Sequence, residues 1–148
     1  MLISLLTIVT VGTAFTCTPV AVWDGDGPIW CVEGPKIRLH GIAAREVKRV
    51  GGSIVDGGCN RGHPCSTVSG VVARDRLVAL LGGAKGSLPT GHIRVVAPAM
   101  RCISYGSAKG ARTDASCSLP GVGDLSCALV RANVVLRWRS YGGGEVCR

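Results

Sequence analysis

Apolar and polar positions along the chain fall into short runs separated by glycine-rich breaks. From Phe15 to Val32, the β-rich runs FTCTPVAVW and IWCV flank DGDGP. A Gly/Asp turn between such runs predicts a hairpin. EGPK makes a second turn into IRLHGI, giving a three-strand meander. In its third strand Ile37 and Leu39 share one face of an extended chain, and Arg38 and His40 share the other. Residues 47–66 lack periodicity and read as a loop. STVSGVVARDRLVALLGG predicts a helix, with Val68, Val71, Val72, Val78 and Leu81 near helical spacing. Ser66 is its expected N-cap, and Gly82 and Gly83 are its stop. HIRVVA and ARTDASC predict two more strands, separated by a loop around SYGSAKG. GDLSCALVRANVV predicts a second helix, with Asp124 as cap and Leu125, Ala128 and Leu129 facing inward. The final RSYGGGEVCR is irregular.

Five strands with a helix after the third predict a β-rich α+β fold. The expected form is a five-stranded OB-fold barrel with two to three helices packed at its side, an architecture that often binds oligonucleotides. At 148 residues the chain fits one domain with a real core. MLISLLTIVTVGTA reads as an export leader at 1–14, cleaved after Ala14, leaving a single domain at 15–148. The alternative is a first core strand, favoured by Ile8, Val9 and Val11. The run is shorter than the ~20 apolar residues that span a bilayer, so no stable membrane insertion is expected. The mature protein is expected to be a monomer.

Eight cysteines add a compartment to this picture. No C-x-x-C pair occurs, which removes the main support for zinc-ribbon and thioredoxin-type readings. CNRGHPC, with His63 between Cys59 and Cys65, reads as a small disulfide loop because no second ligand cluster follows. An even cysteine count in a small basic domain suits an oxidising location, secreted or periplasmic. Cys17 and Cys31 lie on the two arms of the first hairpin and are expected to pair. Cys59 with Cys65, Cys102 with Cys117, and Cys127 with Cys147 complete the set.

A net charge of +8 points to an anionic partner, nucleic acid first and an acidic membrane surface second. Between Lys36 and Arg49, five Lys/Arg residues face one acid, Glu46. DGDG is either a tight acidic turn or a site for a hard cation. It does not open an EF-hand, because Ile29 and Pro35 stand where oxygen ligands are needed.

Taken together, VWDGDGPIWC, IRLHGIAARE, GARTDASC and GDLSCALVRANVVLRW resemble the thermonuclease (staphylococcal-nuclease-like) family, closest to a small exported, cysteine-rich bacterial branch. The resemblance runs from about Phe15 to Tyr141, in order and spacing. It implies an OB-type barrel that hydrolyses phosphodiesters of DNA and RNA with Ca²⁺. It places Asp26 on a calcium ligand, with Asp24 as the acidic residue beside it. Arg38 and Arg112 fall on the two phosphate-binding arginines, and Glu46 on the carboxylate proposed as general base. The chemistry suits these types. Arginine clamps phosphate oxygens bidentately and stays charged, a cation neutralises the same group, and a carboxylate takes a proton from water.

One stretch departs from that pattern. Where the family reads GIDAPE, this chain reads GIAARE. Ala43 stands where a second calcium-ligating aspartate belongs, so Ca²⁺ is expected to bind weakly, and Arg45 adds a cation nearby. Two readings follow: a nuclease acting on single-stranded DNA or RNA with a degenerate metal site, or a catalytically silent nucleic-acid-binding OB domain. A disulfide-stapled surface protein with no nucleic-acid role is the third.

Overall fold

The computed structural model describes residues 8–148. In chain order the elements are β1 (Ala14–Cys17), β2 (Pro19–Asp24), β3 (Gly27–Cys31), β4 (Lys36–Leu39), β5 (Ile42–Ala43), β6 (Glu46–Val50) and β7 (Ser53–Gly58). Helix α1 (Gly70–Leu80) follows, then β8 (Ile93–Arg94), β9 (Met100–Ala108), β10 (Arg112–Leu119) and β11 (Gly123–Asp124). Helix α2 (Leu125–Arg131), β12 (Leu136–Arg137) and two 3₁₀ turns complete the chain.

The main sheet runs in the order β1-β9-β10-β4-β3-β2-β8, with β11 added on β10. Its pairings are antiparallel except β4 with β10, which is parallel. The fold is therefore β-rich α+β with an open, mixed sheet. β5 pairs with β12, and β6 with β7, in two small separate sheets.

Several elements differ from the sequence expectation. The run 15–23 is two strands, because Thr18 donates its N–H and hydroxyl to the Glu33 carboxylate and leaves the ladder. The expected loop at 47–66 contains the β6–β7 hairpin. Only Val47 is buried there, so the hairpin has no alternating core face to read. Strand β9 runs through most of the expected SYGSAKG loop with Ser104 facing inward and Ile103 and Tyr105 outward, which reverses the usual polarity. HIRVVA contributes only the two residues of β8.

The helices show the same kind of adjustment. Ser69 rather than Ser66 caps α1, its side chain accepting the Val71 N–H, while the Ser66 hydroxyl accepts from Val68 one turn earlier. The buried stripe is Gly70, Ala73, Arg74, Leu77 and Val78, continued by Leu81, so Val72 of the expected stripe faces solvent. Gly70 is not a weak point in this helix. A methyl group there would collide with the Glu46 carbonyl oxygen, so glycine lets α1 start directly on that backbone. In α2, Asp124 accepts the Cys127 N–H at 2.8 Å, as expected of a cap. That helix stops at Arg131, because Asn133 takes a left-handed conformation at φ 57°.

The core gathers Val22, Ile29, Ile37 and Leu39 of the sheet, Leu77 and Leu81 of the α1 region, and Leu125 and Leu129 of α2. Four disulfides join Cys17–Cys31, Cys59–Cys65, Cys102–Cys117 and Cys127–Cys147, the expected set. Such bonding suits an oxidising compartment. Among the described residues, no helix is long and apolar enough to cross a membrane. Residues 1–7 of the expected leader lie outside the described residues. Further along that segment, Val9 exchanges hydrogen bonds with Thr113 and Ser104, and Gly12 donates to the Ser104 carbonyl.

One ion pair locks α1 to the β6–β7 hairpin. Asp56 accepts from Arg45 Nη2 at 2.8 Å and from the Gly70 N–H at 2.7 Å. The Arg45 guanidinium, with the Gly70 amide, holds the Asp56 carboxyl well below the usual carboxylate range. Stability from a lowered carboxylate is complete above its ordinary pKa of ~4 and is lost as pH falls toward the folded value. Thermal melts from about pH 5 to about pH 2 should therefore decline less steeply in Asp56→Asn than in the wild type. At neutral pH the variant should melt lower. Equal acid limbs would show that the pair adds no net stability.

Candidate functional site

Asp24 ends β2, and Asp26 follows in the turn to β3. Gly25 between them lets the turn lie against α1, since a methyl there would approach Ala73 Cβ to 2.6 Å and Ala44 Cβ to 3.0 Å. The Ala44 N–H donates to Asp26 Oδ2 at 3.0 Å, and the Asp26 N–H to Asp24 Oδ1 at 3.2 Å. These bonds fix two buried carboxylates, 2% and 4% exposed. Glu46 opens β6 beside them, so Asp24, Asp26 and Glu46 each offer an oxygen within 4.8 Å of the others. Burial, with Asp26 and Glu46 alongside, pushes the Asp24 carboxyl well above its ordinary range.

Three crowded carboxylates are a hard donor set of the kind that takes a divalent cation. Ala43, fully buried in β5, adds no oxygen to it. The residues present therefore fit a cation with fewer protein ligands than a full cage. Arg45, expected as a competing cation, turns away from the acids. Its guanidinium pairs with Asp56, lies 3.8 and 3.5 Å from the Cys59 and Cys65 sulfurs, and reaches the Ser66 carbonyl at 3.4 Å.

Next to the acids lies a cationic cavity of about 580 Å³. Arg38 joins the two. Its Nη2 is 3.6 Å from Asp26 Oδ2, and its nitrogens donate to the Leu39 and Ile42 carbonyls at 2.7 and 2.9 Å. The guanidinium also sits 5.3 Å from the Trp138 ring centre, a cation–π distance. Arg112 lines the same cavity from the start of β10, its Nε donating to the Lys109 carbonyl at 2.5 Å. The parallel register sets Asp114 opposite Arg38, two residues from Arg112. His40 Nδ1 donates to both Asp114 oxygens at 3.0–3.1 Å, which occupies the carboxylate within this wall.

The five residues expected to carry chemistry thus lie in two adjoining groups. Asp24, Asp26 and Glu46 form the acidic group, and Arg38 and Arg112 share the cavity. The basic stretch 36–49 does not act as one patch. Lys36 lies over Trp30, Arg45 pairs with Asp56, and Arg49 bonds the Pro89 carbonyl; only Arg38 reaches the cavity. Sequence reasoning missed Asn60, which donates to Glu46 at 2.9 Å, and the cavity residues Arg61, His63, Lys109, Trp138 and Tyr141. CNRGHPC was the available signal, but it pointed only to a staple. The chain matches no family model, no curated protein and no solved structure.

Asp24 supplies a direct test of the acidic group. A raised carboxyl contributes stability that is full at low pH and lost as pH rises through the folded pKa. Asp24→Asn should therefore raise Tm in EDTA at neutral pH by about 2–4 °C, the shift of roughly 1 kcal/mol in a domain of this size. If the acidic group takes calcium, the wild type should gain Tm when calcium is added and the same variant should not. A calcium response that survives Asp24→Asn would place the cation elsewhere.

Proposed function

We propose that the protein is a metal-assisted phosphodiesterase of the thermonuclease type, acting on single-stranded DNA or RNA. The observation that carries this reading is the contact between Arg38 and Asp26, which joins a three-carboxylate cluster to a cavity lined by Arg38 and Arg112. Metal-assisted hydrolysis of a phosphodiester uses both parts next to each other.

Arg38 and Arg112 clamp the phosphate oxygens and remain charged throughout. Arg38 is already oriented by two carbonyls, so little rotamer freedom is lost on binding. Glu46 takes the proton from the attacking water, and the Asn60 amide holds its carboxylate in place. Asp24, Asp26 and Glu46 would hold the cation, Ca²⁺ by the family resemblance. Bound there, it supplies charge neutralisation at the phosphate and a site for the water.

The parallel β4–β10 pair supports an OB-type barrel as the underlying architecture. So does the position of β8 and β9, joined by residues 95–99, on β2 at one end of the sheet path and on β10 near the other. Four disulfides support a secreted or periplasmic location. The second reading, a silent nucleic-acid binder, is favoured by Ala43, whose methyl group leaves the cluster one carboxylate short.

Cleavage of a labelled single-stranded oligonucleotide, with calcium and then with EDTA, separates the two. Calcium-dependent cutting supports the enzyme, whereas binding without cutting supports the silent domain. Ala43→Asp should raise both calcium affinity and cleavage. Glu46→Gln in that background should remove most of the gain, at the ~10²–10⁴-fold scale of a general base. Activity left flat by Ala43→Asp, with calcium binding also unchanged, favours the silent domain. Full activity of the wild type in EDTA rules out the calcium mechanism.

A further inference from the structure

The loop closed by Cys59 and Cys65 has a use beyond stapling. Between the two cysteines the polar side chains are Asn60, Arg61 and His63, and all three line the cationic cavity. The junction from β7 to α1 does not need this disulfide, because Asp56 already ties Arg45 to the Gly70 amide. The loop is instead fastened to the two halves of the site. Asn60 donates to Glu46 at 2.9 Å on the acidic side, and the His63 ring lies 4.2 Å from Trp138 on the cavity side. Arg45 Nη1, beside both sulfurs, supports it from below.

Arg61 rides on this fixed frame. Among the described residues it forms no ion pair, unlike Arg38, Arg45 and Arg148. An exposed guanidinium on a closed, three-point-anchored loop pays less ordering entropy on binding than one on an open loop. With Arg38, Arg112 and Lys109 it gives the cavity cations from three separate stretches of chain, and Trp138 and Tyr141 supply flat faces beside them. A chain of phosphates carrying unpaired bases has this combination of charge and ring.

We propose that Arg61 is a further phosphate-binding residue of this site, and that the Cys59–Cys65 bond holds it there for a single-stranded nucleic acid. The proposal rests on the nucleic-acid reading above and is independent of whether the protein cuts its ligand.

The test measures binding of a fluorescein-labelled single-stranded DNA oligonucleotide in EDTA across a series of salt concentrations. Arg61→Ala should lower affinity and reduce the slope of log K against log salt by ~0.7, the value of one lost phosphate contact on a single strand. Arg61→Lys should keep the slope. The double variant Cys59→Ser with Cys65→Ser, shown to be folded by its melt, should lose the same increment as Arg61→Ala. A wild-type slope in Arg61→Ala overturns the role of Arg61, and a wild-type slope in the double variant overturns the role of the disulfide. If the double variant does not fold, Arg61→Ala and Arg61→Lys in the closed loop still decide the first point, and reduction-resistant binding by the wild type under mild thiol overturns the second. Arg38→Ala separates this failure from that of the broader reading. Binding that responds to Arg38→Ala but not to Arg61→Ala sinks the loop proposal alone, whereas wild-type protein with no salt-dependent binding sinks both.

Discussion

Strands β4 and β10 lie parallel, with Ile37 opposite Thr113, Arg38 opposite Asp114 and Leu39 opposite Ala115. No tight turn can join a parallel pair, so everything between them in the chain forms the crossover. That crossover contains the β6–β7 hairpin, the disulfide loop, α1 and strands β8 and β9. Closing so long a connection costs entropy, which Ile37, Leu39 and Ala115 offset by complete burial. The pair is also fixed at its end by the His40 N–H donating to the Ala115 carbonyl, and the Ser126 hydroxyl donating to the His40 carbonyl. Arg38 and Arg112 reach one cavity because this register brings their strands together.

Opposite charges placed so close would ordinarily collapse onto each other. Here backbone groups share them. The Arg38 guanidinium is taken by two carbonyls, and Asp26 by the Ala44 N–H, before the two side chains meet at 3.6 Å. Asp114 is likewise occupied by His40. The acidic group therefore stays crowded, its Asp24 carboxyl raised by burial first and by Asp26 and Glu46 after it, and the cavity keeps its excess of cations. Both are arrangements that a charged ligand relieves.

Much of this was legible where local chemistry decides structure. The DGDG turn, the Asp124 cap and the Cys17–Cys31 and Cys59–Cys65 pairings each follow from neighbours in sequence or from hairpin symmetry. Legibility failed where tertiary contact overrides pattern. The β6–β7 hairpin buries little, so its strands look like loop, and Ser104 faces inward because Val9 accepts its hydroxyl. Gly70 looks like a flaw in a helix until the Glu46 carbonyl is set beside it. The basic run 36–49 could not be resolved by charge counting, since its residues leave the chain toward Trp30, Asp56 and Pro89 as well as toward the cavity. Tyr141 lies in a tail without periodicity and Trp138 just before it, and only the return of this segment to the cavity gives them a role.

Ala43 and Arg45 of GIAARE act on different parts of the structure. Ala43, a fully buried strand residue paired with Leu136, presents a methyl group and adds no charge to the crowded acidic group. At position 45 the arginine does not compensate inside that group. It reaches Asp56, the α1 start through Gly70, and the sulfurs of the neighbouring loop. A proline there could supply none of these contacts, since it has no side-chain donor. The stretch serves as an anchor between the hairpin, the helix and the disulfide loop. Arg45→Pro would therefore weaken the scaffold under Glu46, whereas Ala43→Asp leaves the anchor intact. Arg45 is thus the residue that lets the disulfide loop be built beside the acidic group.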